Sequence, residues 1–384
     1  MSRSARTMTT VNERMVFLDG SRLIIEAMAR AGAGAYIGYP ITPVNWLFAG
    51  AKQRIPISLE APDEITALQW AAGFSSSGVF PVTASAFPGF ALMIESINMS
   101  FMMELPMVII LAQRLGPSTG SATTGGQGDL LLLRGCISGG YSLPVFCPSN
   151  LSDCWNMAAA SVHTAVNLRT PVVLLTSKEM VMTNQNMDIS GLKEIARAER
   201  HMHEGNGEYK TYGANGNLAP PFLPLGNDLH QVRLNSSTHD MEGITQKNSP
   251  EALGNTQRLK NKVEQNLDDY TYYDHDRDES ADTVILTYGI SAEAAREAVV
   301  LLRAGGESVS LLVMKTLLPV PPRIYELLAK YRHVVVVEEN IVGLLRELLY
   351  GNHQHDRIHG VNKIGHMITP QEIAEGVRQC RIPS

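Results

Sequence analysis

A chain of 384 residues with 44% hydrophobic content is long enough for about two to three domains with filled cores, which excludes a disordered tail or a small cross-linked scaffold. Its 32 basic and 38 acidic residues leave a formal net charge of −6, so no global positive field collects nucleic acid or an anionic membrane. The four cysteines, Cys136, Cys147, Cys154 and Cys380, include no C-x-x-C pair, so the chain does not itself supply the usual ligands of an iron–sulfur cluster or a structural zinc. They read as free, exposed thiols of a reducing compartment.

The opening MSRSARTMTTVNERM carries arginines without the apolar core of a secretory signal, and a cytoplasmic protein is expected. No apolar run reaches the ~18 residues of a membrane span. The longest, 105–112, contains Pro106 and suits a buried strand. In chain order, helical patterns at 21–33, 63–78, 88–103 and 150–168 alternate with apolar strand-like runs at 35–41, 80–85, 105–113, 143–148 and 170–177. Strands of this continuous apolar kind, separated by helices, predict a parallel sheet covered on both faces.

From about Met187 the texture turns to Gly, Asn, Pro, His and acidic residues, which predicts a polar linker or excursion with one short surface helix at 249–266. After Asp282 the alternation resumes, with strands at 282–289, 307–315, 333–340 and 358–364 and helices at 291–304, 321–331, 342–350 and from Pro370. The expected division is therefore 15–186, a linker at 187–281, and a second, smaller α/β domain at 282–384. No internal period marks a solenoid or propeller.

Several motifs have two readings. The glycines of QRLGPSTGSATTGGQGDL match neither a P-loop nor a dinucleotide fingerprint, but the loop follows the strongest strand of the domain, where open α/β sheets place ligands. A plain connection is the alternative. Arg114, at that strand's carboxyl end, is either a fork for a carboxylate or half of a surface salt bridge. Glu64 opens a helix just after Pro62 and Asp63, which dipole and capping logic alone would explain. The small residues Ala67, Ala71, Ala72 and Gly73 then allow that helix a close approach to a neighbour. The pairs His201/His203 and His353/His355 lie in polar sequence without cysteines at metal spacing, and no metal ligand set is read from the chain. No G-x-S-x-G elbow supports a serine hydrolase; Ser118 and Ser121 lie in a loop. Gly128-Asp129 followed by Asn156 imitates a magnesium–diphosphate signature, but Leu130 replaces its third glycine and Asn156 falls within a helical pattern, so it is rejected.

In order along the chain stand GYPITP (38–43), DEITAL with Gly73 beyond it, TASAFPGFALMIE (83–95), ELPMVIILAQRLGPSTG (104–120), GQGDL (126–130), THDMEG (238–243), LTYGISAEAAREAV (286–299) and VVEENIVGLL (336–345). This set resembles the alpha subunit of the 2-oxoacid:ferredoxin oxidoreductases, most closely the 2-oxoglutarate type, over nearly the whole chain. The resemblance implies a thiamine-diphosphate pyrimidine-binding domain, a parallel sheet with helices on both faces, followed by a smaller transketolase C-terminal-like α/β domain. It also implies oxidative decarboxylation of a 2-oxoacid with coenzyme A, giving acyl-CoA and reduced ferredoxin. Glu64 matches the carboxylate that bonds N1′ of the cofactor's aminopyrimidine. Thr42 and Arg114 would face the 2-oxoacid; Pro40, Phe87 and Gly89 would line the cofactor; Gly116, Ser118 and Thr119 would shape the covering loop. A beta subunit would bring Mg2+ and a [4Fe–4S] cluster, in an α2β2 or larger assembly.

The chain departs from the family pattern at Phe87, where a glycine is usual, at Ser138-Gly139-Gly140, and at Val44-Asn45-Trp46. These changes leave the identity of the 2-oxoacid open. A non-oxidative thiamine-dependent decarboxylase subunit and a non-catalytic scaffold of the same fold are the rival readings.

Overall fold

Runs such as Pro81–Ser85, Met107–Gln113 and Pro171–Ser177 are buried at every position, which a strand achieves only when both faces of its sheet are covered. The computed structural model describes residues 14–205, 207–353 and 355–381; residues 1–13, where the leader reading falls, lie outside the described residues. The first part of the chain forms β1 (Met15–Leu18), α1 (Gly20–Ala31), β2 (Ala35–Gly38), α2 (Asn45–Arg54), β3 (Ile57–Glu60), α3 (Glu64–Ser76), β4 (Pro81–Ser85), α4 (Phe87–Met102) and β5 (Met107–Gln113). It continues through α5 (Leu130–Arg134), β6 (Val145–Phe146), α6 (Leu151–Leu168), β7 (Pro171–Ser177), α7 (Lys178–Met182) and β8 (Gln185–Asp188). After a long irregular stretch come α8 (Pro250–Gln265), β9 (Tyr273–Asp276), β10 (Thr283–Tyr288), α9 (Ser291–Ala304), β11 (Ser310–Met314) and β12 (Thr316–Leu318). The chain closes with α10 (Pro322–Leu328), β13 (His333–Glu338), α11 (Leu344–Tyr350), β14 (Ile358–Asn362) and α12 (Pro370–Cys380).

Seven strands form the first sheet in the order β12-β6-β7-β5-β4-β2-β3. All neighbours run parallel except the short β12, which reaches over from the second half of the chain to pair antiparallel with β6. From β2 the chain moves outward to β3, then returns through α3 to place β4 on the other side of β2. The strand order therefore reverses between β2 and β4, and a crevice opens at their carboxyl ends, where open α/β sheets bind ligands.

The second sheet has the order β14-β13-β10-β11-β9, parallel except for the antiparallel edge strand β9. Its own reversal lies between β10 and β13, and that crevice is filled by Gln127 of the first domain. The Gln127 side chain donates to Tyr288 O (2.9 Å) and accepts from Glu339 N (2.7 Å) and Ser291 Oγ (2.9 Å). Its backbone N–H donates to Glu339 O, and its carbonyl accepts from Asn340 Nδ2. One neutral side chain, 1% exposed, thus makes three side-chain hydrogen bonds, all to the second domain.

Several sequence expectations need correction. Residues 273–276, within the stretch expected to be a linker, form β9: an edge strand faces solvent on one side, so Tyr-Asp-His-Asp shows no apolar run to read. The helix expected at the surface, α8, buries Ala252, Leu259, Val263 and even Lys262 along one face. Cys136, Cys147 and Cys154 are buried and Cys380 is half-buried, not exposed; burial pushes the Cys136 thiol up to about 12. Gly73 faces open space, so the close approach of α3 rests on Ala67, Ala71 and Ala72 alone.

Lys262 has a reason to be inside. Glu104, fully buried in the turn before β5, receives Lys262 Nζ and a two-pronged grip from Arg258, both from α8. Lys262 Nζ also donates to Arg169 O (3.2 Å), and the Arg169 guanidinium donates to the carbonyls of Thr211, Pro220 and Pro221. Although burial alone would raise it, the cations hold the Glu104 carboxyl down to about 2. Its contribution to stability is complete above the ordinary carboxylate range and is lost as pH falls from about 4.5 towards 2. Glu104→Gln strands two buried cations and is expected to cost about 3–5 kcal/mol in urea unfolding at neutral pH. An unchanged midpoint would show the cluster to be energetically idle.

Candidate active site

Four adjacent strand ends supply the site. β3 leads through Pro62 and Asp63 into α3, β2 into Tyr39-Pro40-Ile41-Thr42, β4 into the start of α4, and β5 directly into Arg114. Asp63 is the N-cap of α3, its carboxylate accepting from Thr66 N at 2.7 Å. That hydrogen bond holds the Asp63 carboxyl below its usual range. Because Asp63 does the capping, Glu64 is free of it. The Glu64 side chain is 6% exposed and, among the described residues, makes no hydrogen bond or ion pair. Most of the residue is packed away, but neither carboxylate oxygen is among the fully buried unpartnered atoms, so the head of Glu64 is open to a donor from a ligand.

Gly89, in the first turn of α4, lies against this carboxylate. A Cβ at Gly89 would come closer to Glu64 Oε1 and Ser85 Oγ than the 3.0 Å that real Cβ atoms keep. Ser85 Oγ is itself buried without a partner. Gly89→Ala should therefore displace the Glu64 carboxylate and reduce activity of the assembled enzyme by at least about tenfold, with the fold retained by circular dichroism; full activity would mean that the contact does not position Glu64. Phe87 is the first, half-buried residue of the same helix, two positions before Gly89.

Arg114 is 5% exposed, which removes the surface salt-bridge reading. Its Nη1 donates to Thr42 O at 2.6 Å, joining the β5 end to the β2 loop, while Nε has no partner. Burial draws the guanidinium below its ordinary value, opposed by Asp129. Asp129 is 4% exposed with Oδ2 unpartnered; burial pushes its carboxyl up to about 7 against the pull of Arg114. The sequence signal at Asp129 was the false magnesium signature, and its placement beside Arg114 was not readable. Ser85 was likewise read only as part of a family motif.

Pro40 is exposed in the β2 loop and Thr42 is half-buried. Gly116, Ser118 and Thr119 occupy an exposed turn closed by Ser121 N to Leu115 O and Leu115 N to Thr124 O. Gly120, at φ +53°, is needed there, since a Cβ would strike Leu115 O. No hydrogen bond ties this turn to Glu64, Thr42 or Arg114 among the described residues. The histidine pairs stand apart: His203 packs against Tyr209 and His230, and His355 against Tyr350.

A family model described as "Pyruvate flavodoxin/ferredoxin oxidoreductase, thiamine diP-bdg" matches residues 26–256, which contain this entire site. The chain belongs to this oxidoreductase family. A second model, the pyruvate:ferredoxin oxidoreductase core domain II, matches residues 281–373. The oxidoreductase chain is 27% identical over 376 residues to the 2-oxoglutarate synthase subunit KorA of Methanocaldococcus jannaschii, covering 95% of this chain and 99% of that one. It is also 27% identical to the ketoisovalerate oxidoreductase subunit VorB of Methanothermobacter thermautotrophicus, over 94% and 97% of the two chains. Among solved structures, the 2-oxoglutarate:ferredoxin oxidoreductase of Magnetococcus marinus, bound to 2-oxoglutarate, coenzyme A and succinyl-CoA, superimposes with a TM-score of 0.89 at 26% identity. The match covers 96% of this chain and 65% of that one. The fold is thus the thiamine-diphosphate-binding α/β fold followed by a second α/β sheet domain. Among the described residues no helix is long and apolar enough to cross a membrane.

Proposed function

We propose that this chain is the alpha subunit of a 2-oxoglutarate:ferredoxin oxidoreductase of the cytoplasm, and that its Glu64 is the carboxylate that bonds the aminopyrimidine of thiamine diphosphate. One observation carries the reading: Glu64, a buried residue whose carboxylate has no partner, set against Gly89 at the strand-order reversal, with Arg114 at the end of the nearby β5. This donor set fits the cofactor, since the carboxylate lacks a donor and Gly89 clears the space beside it. In this reading residues 15–186 bind the pyrimidine, 187–281 brace that domain, and 282–384 form the transketolase C-terminal-like domain.

When bound, thiamine diphosphate supplies an electron-accepting carbon that permits loss of carbon dioxide from a 2-oxoacid. The Glu64 carboxyl would give a proton to the ring nitrogen N1′, and the carboxylate so formed would accept a charge-assisted hydrogen bond from that N–H, which is strongest where water is scarce. Arg114, steadied by Thr42 O, keeps N–H groups for the C1 carboxylate of the substrate, and Pro40, Thr42 and Phe87 wall the crevice. Gly116, Ser118 and Thr119 form a turn that projects towards a partner. Tyr39, Trp46 and Ile65 are exposed around the same edge, which supports a beta subunit that seals the site and brings Mg2+, the [4Fe–4S] cluster and the route to ferredoxin. The reading includes an α2β2 or larger assembly.

Asp129 sets a pH dependence. Below about 7 its carboxyl is neutral and Arg114 acts on the substrate alone; above it, the anion competes. The KM for the 2-oxoacid is expected to rise as pH climbs through about 7, and to become flat in Asp129→Asn. A step that persists in the variant assigns it to another group. The reading as a whole is tested by co-expressing the chain with its partner subunit and following viologen reduction with 2-oxoglutarate, pyruvate and ketoisovalerate, with and without coenzyme A. Highest kcat/KM for 2-oxoglutarate is expected; preference for another 2-oxoacid overturns the substrate, and no turnover despite bound thiamine diphosphate overturns the activity.

A further inference from the structure

His333, His359 and Cys380 are brought together by the topology of the second sheet, far apart as they are in sequence. In the parallel β13–β14 pair, Val335 aligns with His359, so His333 and His359 lie diagonally on the face that carries Val335, Val337 and Val361. Helix α12 covers that face with Ile373, Ala374 and Val377. Cys380 follows at the next position of the same helical stripe, seven residues after Ile373, and overhangs the two imidazoles. At this end of the apolar seam, three polar side chains with metal-ligating atoms replace the packed valines.

The separations come within a small side-chain adjustment of a metal site. His333 Nδ1 and His359 Nε2 are in hydrogen-bond contact at 3.4 Å, and one ring nitrogen of each histidine and Cys380 Sγ, whose thiol donates to Val377 O, all lie within 4.8 Å of one another. Two zinc–nitrogen bonds of about 2.0–2.1 Å at a tetrahedral angle place their nitrogens about 3.3–3.4 Å apart, and a thiolate at about 2.3 Å lies about 3.6 Å from each. No other trio of His, Cys, Asp or Glu among the described residues meets this criterion. All three residues are half-buried, and His359 and Cys380 line an open cleft with Asn362 and Gln379, where Glu372 and Glu375 offset the charges of Arg346 and Lys363 and leave a path to solvent. The neighbouring Arg381 guanidinium is held by Glu307, Ser308 O and Thr283 Oγ1, and because Thr283 aligns with His333 this cation stands beside the trio, with its charge offset by Glu307. The site lies at the amino end of β13, opposite to the carboxyl end that Gln127 grips, so it is separate from the crevice of Glu64 and Arg114.

We infer that His333, His359 and Cys380 bind one zinc-type divalent cation, leaving a fourth coordination position to water, and that the ion pins the closing helix α12 to its sheet. Two imidazoles and a thiolate suit Zn2+, and a clip between two strands and a helix contributes to folding whenever it is loaded. The full-length chain, freed of metal, is titrated with Zn2+ against a chromophoric chelator, and separately with Co2+ while thiolate-to-cobalt absorption is followed. The expected result is one tight equivalent, a charge-transfer band that disappears in Cys380→Ser, and affinity lowered at least about a hundredfold in His359→Ala. Zinc should also raise the midpoint of thermal unfolding of the wild-type chain and not of the two variants. The double variant His353→Ala/His355→Ala should keep the tight equivalent. Absence of a tight equivalent in the wild-type chain, with circular dichroism of the folded protein, overturns the site, and so does equal binding by His359→Ala. Loss of binding only in His353→Ala/His355→Ala would move the ion elsewhere and equally defeat the assignment.

Discussion

Arg114→Lys is expected to lower kcat/KM of the assembled enzyme for its 2-oxoacid by roughly 30- to 4,000-fold, the equivalent of about 2–5 kcal/mol for a mispaired buried charge. The reason is geometric. The guanidinium is nearly inaccessible to water, and one of its nitrogens is committed to Thr42 O at 2.6 Å. That bond fixes the plane of the group, so its remaining N–H donors are aimed before the substrate arrives. A lysine ammonium offers three donors on a flexible stem and cannot both hold Thr42 and fork a carboxylate. The loss should fall chiefly on KM, because the contact is made in the bound substrate as well as in the transition state. Kinetics indistinguishable from wild type would remove Arg114 from the substrate site.

Glu64→Gln is expected to reduce turnover by about 10²–10⁴-fold while leaving assembly with the partner subunit intact. Glutamine nearly preserves the shape that fits beside Gly89 and Ser85, so the variant isolates the ionisable carboxyl, which gives and retakes the N1′ proton, from the packing. Asp63 continues to cap α3 through Thr66, which keeps the helix start in place. A loss of turnover accompanied by dissociation of the complex would point to a structural role instead, and unchanged turnover would exclude the carboxylate role.

How far the site could be read ahead of the structure differs residue by residue. The continuous apolar strands announced a parallel sheet, and their alternation with helices placed Arg114 and Glu64 at its ligand edge. At the start of α3, however, Asp63 and Glu64 are adjacent carboxylates, and sequence logic does not say which one caps; only the Thr66 contact separates them. Arg114 had two readings until its burial removed one. Gln127 sits among glycines in what reads as loop, and its role depends on Tyr288, Ser291 and Glu339 from a domain more than a hundred residues away. The Glu104 cluster was hidden for the same reason, since its partners Arg258 and Lys262 lie on a helix whose charged composition suggests solvent. β9 escaped because an edge strand has no need of apolar alternation on its open side. What was legible was local pattern; what was not was pairing across long separations in sequence.

The central claim is that Glu64 activates thiamine diphosphate in this half of the enzyme. Its most direct test is the rate at which the C2 proton of the bound cofactor exchanges with deuterium in the assembled complex, measured by quenched-flow NMR for the wild type and Glu64→Gln at equal cofactor occupancy. Exchange slowed by about 10²–10⁴-fold in the variant is the result predicted; equal rates in the two proteins would contradict it.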